Sequence, residues 1–74
     1  MDAESFSHRL RVIMADRGIS TRELSERSGI SRQMIAGYLY SGSIPSLSYA
    51  CKIASALGVS LDDLAIEPLN NVLN

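Results

Sequence analysis

The chain has 74 residues, 46% hydrophobic and 20% charged, with a formal net charge of −1. A chain this short makes one domain and buries only about 60% of the surface its unfolded form exposes, but it is apolar enough to exclude disorder. Apolar runs of a few residues exclude a membrane-spanning helix, and the start "MDAESFSHRL" lacks the basic-then-apolar order of a signal peptide, so the expected compartment is the cytoplasm.

Every segment between the glycines and Pro45 has helical period, and none alternates apolar and polar residues, so no sheet is expected. Phe6, Leu10, Ile13, Met14 and Arg17 share one face of a first helix over about 3–17, stopped by Gly18. "STRE" then places Ser20 and Glu23 as a capping box for a second helix over about 21–28, which buries Leu24 and ends at Gly29. Ser31 caps a third helix over about 32–40, with Ile35, Tyr38 and Leu39 available for burial. After the loop "YSGSIP", Pro45 and Ser46 open a fourth helix over about 46–57, with Leu47, Ala50, Ile53, Ala54 and Leu57 inward. Cys51 lies in this apolar pattern and is expected in the core; as the single cysteine it excludes an internal disulfide or a cysteine zinc cluster. "SLDD" starts a short fifth helix over about 61–66, around Leu61 and Leu64. The fold expected is all-α, five short helices around one core, with a helix–turn–helix over about 20–40. Residues 1–66 form the domain. The tail 67–74, with Leu69, Val72 and Leu73 at helical spacing, covers either a neighbouring subunit or its own core.

Few chemistries are open to this chain. His8 is the only histidine, expected at the surface, and has no second ligand of matching type nearby, so no metal site is expected. None of the serines sits in a glycine-flanked elbow, and there is no phosphate-binding glycine loop. Neither an enzyme nor a cofactor is expected. Charge is slightly uneven: residues 1–42 carry six arginines against five acids, and residues 43–74 carry Lys52 against three acids. A basic face on the N-terminal half is therefore permitted.

From Gly18 to Leu64 the chain resembles the Cro and lambda-repressor family of DNA-binding domains, the Xre-like regulators. The resemblance rests on "GISTRELSERSGISRQMI" and on "PSLSYACKIASALGVSLDDL". It implies a five-helix fold whose third helix enters the major groove, usually in a dimer on a palindromic site. Carried over by position, it gives base contacts to Ser31, Arg32 and Gln33 in the first turn of the third helix, and to Ala36 and Gly37 one turn on. Phosphate contacts fall to Ser20, Thr21 and Arg22 at the start of the second helix, and to Tyr40 and Ser43 beyond the third. Tyr40 is equally open to half-burial against Tyr38. The residue types suit these roles: arginine pairs with guanine O6 and N7, glutamine with adenine N6 and N7. A helix N-terminus offers free N–H groups and partial positive charge to phosphate.

Two departures from the family pattern stand out. Many members carry an arginine four residues before the first glycine and a glutamate late in the recognition helix, and the two pair. Here those slots hold Met14 and Leu39, an apolar replacement of the kind that is often neutral or stabilising. The loop after the third helix, often basic in the family, here reads Ser41, Gly42, Ser43, Ile44. Phosphate anchoring there is left to backbone and hydroxyl groups, and modest salt dependence is expected.

The function expected is a free-standing, sequence-specific regulator of double-stranded DNA, a repressor acting as a homodimer on a palindromic operator, with no small-molecule effector. The alternative is a helix–turn–helix protein-interaction module, antitoxin-like or partner-regulated, with weak or no direct DNA binding.

Overall fold

The computed structural model describes residues 2–64, and all regular structure among them is helical. The tail 67–74, with Leu69, Val72 and Leu73, lies outside the described residues, as do residues 65 and 66 of the expected fifth helix.

Local hydrogen bonding sets each boundary. Helix α1 (Ala3–Arg17) starts at Asp2, whose carboxylate accepts the Ser5 N–H at 2.8 Å. It ends where Gly18 turns left-handed at φ 65°. There the Gly18 N–H donates to the Ala15 carbonyl and the Ile19 N–H to the Met14 carbonyl, the paired closure that satisfies two otherwise orphan carbonyls. Helix α2 (Thr21–Ser28) has the expected capping box. The Glu23 N–H donates to Ser20 Oγ at 3.1 Å, and the Ser20 N–H to Glu23 Oε1 at 3.3 Å. Helix α3 (Arg32–Tyr40) is capped by Ser31, which accepts the Met34 N–H at 3.1 Å. Helix α4 (Leu47–Leu57) is capped by Ser46 and closes at Gly58 in the same way that α1 closes at Gly18.

The core is where the elements meet. Phe6 and Leu10 of α1, Leu24 of α2, Ile35 of α3, Ile53 of α4 and Leu64 are fully buried and belong to one cluster. Phe6 meets Tyr38 edge to face, with ring centroids 6.0 Å apart, which ties α1 to α3. Met14 and Leu39 are both buried in this cluster, so the two slots that often hold an ion pair are filled by hydrocarbon.

Four expectations need correction. Cys51 is exposed. It follows the buried Ala50, but one residue is about 100° of helical turn, enough to carry its side chain off the core face. Leu47 is 67% exposed; it has the right phase but is the first residue of α4, and burial begins a turn later at Ala50. Arg17 shares the phase of Leu10 and Met14 but is exposed at the end of α1, where its guanidinium lies over Gly58. The expected fifth helix appears as a single 3₁₀ turn, Asp62–Leu64. It opens with a reciprocal pair: the Ser60 N–H donates to Asp63 Oδ2 at 3.0 Å, and the Asp63 N–H to Ser60 Oγ at 3.3 Å. Leu64 is its core anchor.

Candidate nucleic-acid interface

The turn between α2 and α3 is held by side chains as well as backbone. Gly29 closes α2 at φ 78°, its N–H donating to the Ser25 carbonyl at 2.9 Å. Ser25 Oγ donates to the Ile30 carbonyl at 2.6 Å, and the Ile30 N–H donates to Ser28 Oγ at 3.1 Å. Ile30 itself is buried. A turn pinned at both faces and plugged into the core fixes how α3 leaves α2, which a helix presented to a ligand needs.

The first turn of α3 is its polar end. Ser31, Arg32 and Gln33 are exposed, whereas Ile35, Tyr38 and Leu39 face the core. Among the described residues Arg32 makes no ion pair or hydrogen bond, so its five donors are available. Ala36 and Gly37 are half-buried, and Tyr40 is 73% exposed past the helix end. That exposure decides the Tyr40 alternative: the ring is not folded against Tyr38. Burial pushes the Tyr38 phenol above its ordinary value of 10, and the neighbouring Tyr49 adds to the effect, so Tyr38 stays neutral.

At the start of α2, Ser20 and Arg22 are exposed and Thr21 is half-buried. The capping box already uses the N–H groups of Ser20 and Glu23. The N–H groups of Thr21 and Arg22 remain without an acceptor among the described residues and are the donors left for an anion. Arg22 is drawn to Glu26, 3.3 Å away, and Arg27 lies 3.8 Å from Glu23. Both pairs are exposed, and such pairs contribute little to stability, but they place a carboxylate beside each α2 arginine.

Two further relationships are long-range and escape any reading of spacing. Ser43 folds back over Gly37, with its N–H donating to the Gly37 carbonyl at 3.2 Å. Gln33, Met34, Gly37, Ser43, Ile44 and Tyr49 thus line one open cleft of about 520 Å³ between α3 and the start of α4. At the other end of α3, Ser7 Oγ donates to the Leu39 carbonyl at 2.7 Å in a buried setting, and Arg11 Nη1 reaches the same oxygen at 3.4 Å.

Comparison with known proteins agrees with this geometry. A family model described as helix-turn-helix, of the Cro/C1 type, matches residues 10–64. The chain belongs to that helix–turn–helix family. As such it is a DNA-binding transcriptional regulator of Xre-like type. Among solved structures it is similar to the restriction-modification controller protein C.AhdI from Aeromonas hydrophila, at 30% identity and a TM-score of 0.76. The match covers 81% of this chain and 91% of that one. No curated protein gives a significant match. Among the described residues, no helix of this family member is long and apolar enough to cross a membrane.

Proposed function

We propose that this chain is a sequence-specific repressor that reads double-stranded DNA with α3 in the major groove, as a homodimer on a palindromic operator in the cytoplasm. The observation that carries it is the first turn of α3: Arg32 and Gln33 stand exposed beside the Ser31 cap, on a helix whose opposite face is core. Arg32 suits guanine and Gln33 suits adenine. Ala36 and Gly37 line the next turn, small enough for close approach or for a thymine methyl. Ser20, Thr21 and Arg22 on one side, and Tyr40 and Ser43 on the other, face backbone phosphates.

The dimer is argued from energy. Two good side-chain contacts supply about 2–6 kcal/mol of discrimination. Specific sites generally stand about 4–10 kcal/mol above non-specific DNA. One subunit reaches the low end, and two on adjacent half-sites exceed it. The likeness to C.AhdI, named as a controller protein, supports regulation rather than DNA processing.

The test is selection of bound sites from a pool of random duplexes. The expected product is a palindrome with half-sites about one helical turn apart. A pool with no enriched sequence, together with no retention on duplex DNA at any salt, overturns the reading in favour of a protein-interaction module.

A further inference from the structure

The loop after α3 contains no basic residue, and the last turn of α3 contains none either. A helix C-terminus carries partial negative charge on its free carbonyls. Bare, this end of the recognition helix repels the phosphates it must approach. The structure brings a cation there from elsewhere in the chain. Arg11, 28 residues earlier on α1, places Nη1 3.4 Å from the Leu39 carbonyl. Ser7, one helical turn before it, fixes the same oxygen at 2.7 Å.

Arg11 has capacity left over. It is exposed, and among the described residues the Leu39 carbonyl is its one polar partner. The ion pairs there are Arg22–Glu26 and Arg27–Glu23, so Arg11 and Arg32 keep full charge. Arg11 lines an open recess of about 390 Å³ with Ser7, Tyr40, Gly42 and Glu4. The phenol of Tyr40 and the Gly42 N–H, which has no acceptor among the described residues, add neutral donors. Glu4 shares the rim without pairing to Arg11. Arg9 takes the other flank of α1, in a recess with Val59 and Asp63.

We propose that Arg11 is a backbone-phosphate anchor for DNA, delivered from α1 to the C-terminal end of the recognition helix in place of the missing basic loop. The proposal rests on α3 as the DNA-reading helix. One guanidinium nitrogen neutralises the α3 carbonyl end, and the others face the phosphate, with Tyr40 beside them. A guanidinium fits both tasks because its donors fan out in a plane.

The test measures duplex binding by fluorescence anisotropy as salt rises from about 50 to about 200 mM, on the selected duplex and a scrambled one of equal length. Arg11→Met keeps the stem and removes the charge. It should reduce the slope of log K against log salt by about 0.9, so that the variant's deficit at the lower salt exceeds that at the higher by about three- to fourfold. Both duplexes should weaken alike, since phosphates carry no sequence. Arg11→Lys should retain the slope. Arg9→Met, which loses the same charge away from α3, should bind as the parent does.

An unchanged slope in Arg11→Met overturns the proposal, even if its melting temperature falls, because a purely structural cap moves stability and not counterion release. An equal slope change in Arg9→Met overturns it as well, by reducing the effect to net charge. Absence of duplex binding by the parent chain overturns the DNA reading and this proposal together, whereas parent binding with an unaltered Arg11→Met slope overturns this proposal alone.

Discussion

Ser43 sits directly against Gly37: a Cβ built on Gly37 would lie 3.3 Å from Ser43 Oγ and 3.7 Å from its Cβ. The glycine in the middle of the recognition helix thus has an intramolecular neighbour. The Ser41 and Ser43 N–H groups both donate to its carbonyl, at 2.9 and 3.2 Å, so the loop closes on this residue. Ser43 Oγ has no hydrogen bond among the described residues and can rotate away. Gly37→Ala should therefore recover helix propensity and raise stability by about 0.5–1 kcal/mol. Urea denaturation checks it, and a lower midpoint would show the Ser43 side chain to be held in place.

Ser7→Ala removes the buried donor to the Leu39 carbonyl and leaves Arg11 as its one partner among the described residues. A buried acceptor losing its best donor costs about 1–2 kcal/mol. The expected result is a lower unfolding free energy with an unchanged denaturant slope. A cost near zero would mean that Arg11 moves in to replace the serine.

Arg32→Ala should relax preference at one base pair of each half-site and weaken specific binding by about 1–3 kcal/mol per contact. Repeating site selection with the variant measures this. Uniform weakening on every sequence would reassign Arg32 to phosphate.

Acid should destabilise the fold through two caps. The Ser5 backbone N–H, and then its hydroxyl, hold Asp2 below the ordinary 3.8, and the Ser60 N–H and hydroxyl do the same for Asp63, with Arg17 and Arg9 adding to it. Both folded-state values are depressed, so the stabilisation is full above 3.8 and is lost as pH falls through the lower folded values. Asp2→Asn keeps a competent cap but cannot titrate. The double variant Asp2→Asn, Asp63→Asn should flatten the fall in thermal midpoint below about pH 4. An equally steep fall would assign the acid sensitivity to other carboxylates.

Cys51 is exposed, so in the native state it should react with a thiol reagent at a rate close to that in denaturant. Cys51→Ser should change stability by no more than about 0.5 kcal/mol, as is usual for surface substitutions. Protection of the thiol until unfolding would restore it to the core.

The helices were legible because their ends are written locally. Ser20 with Glu23, Ser31 with Met34 and Ser60 with Asp63 all act across three residues, within one helical turn, and the closures at Gly18 and Gly58 are as local. Spacing alone therefore identifies them. The polar first turn of α3 was legible for the same reason, since Arg32 and Gln33 follow their cap directly. The inward positions of α1 and α3 followed from period, and they failed only near element ends: Arg17 and Leu47 have the correct phase, but no neighbour covers them. Cys51 failed differently, by a quarter-turn that one apolar residue among others does not reveal.

The sequence by itself determined where each helix begins and ends, the hydrophobic faces that join them, and which end of α3 is polar. Only the tertiary structure decided which residues serve that helix from a distance. Ser7 and Arg11 reach Leu39 across 32 and 28 residues. The Glu26 pairing of Arg22 and the seat of Ser43 on Gly37 likewise became visible only in three dimensions. The physical reason is range: capping is a matter of one turn of backbone, whereas the angle at which α1 crosses α3 is set by the whole core at once.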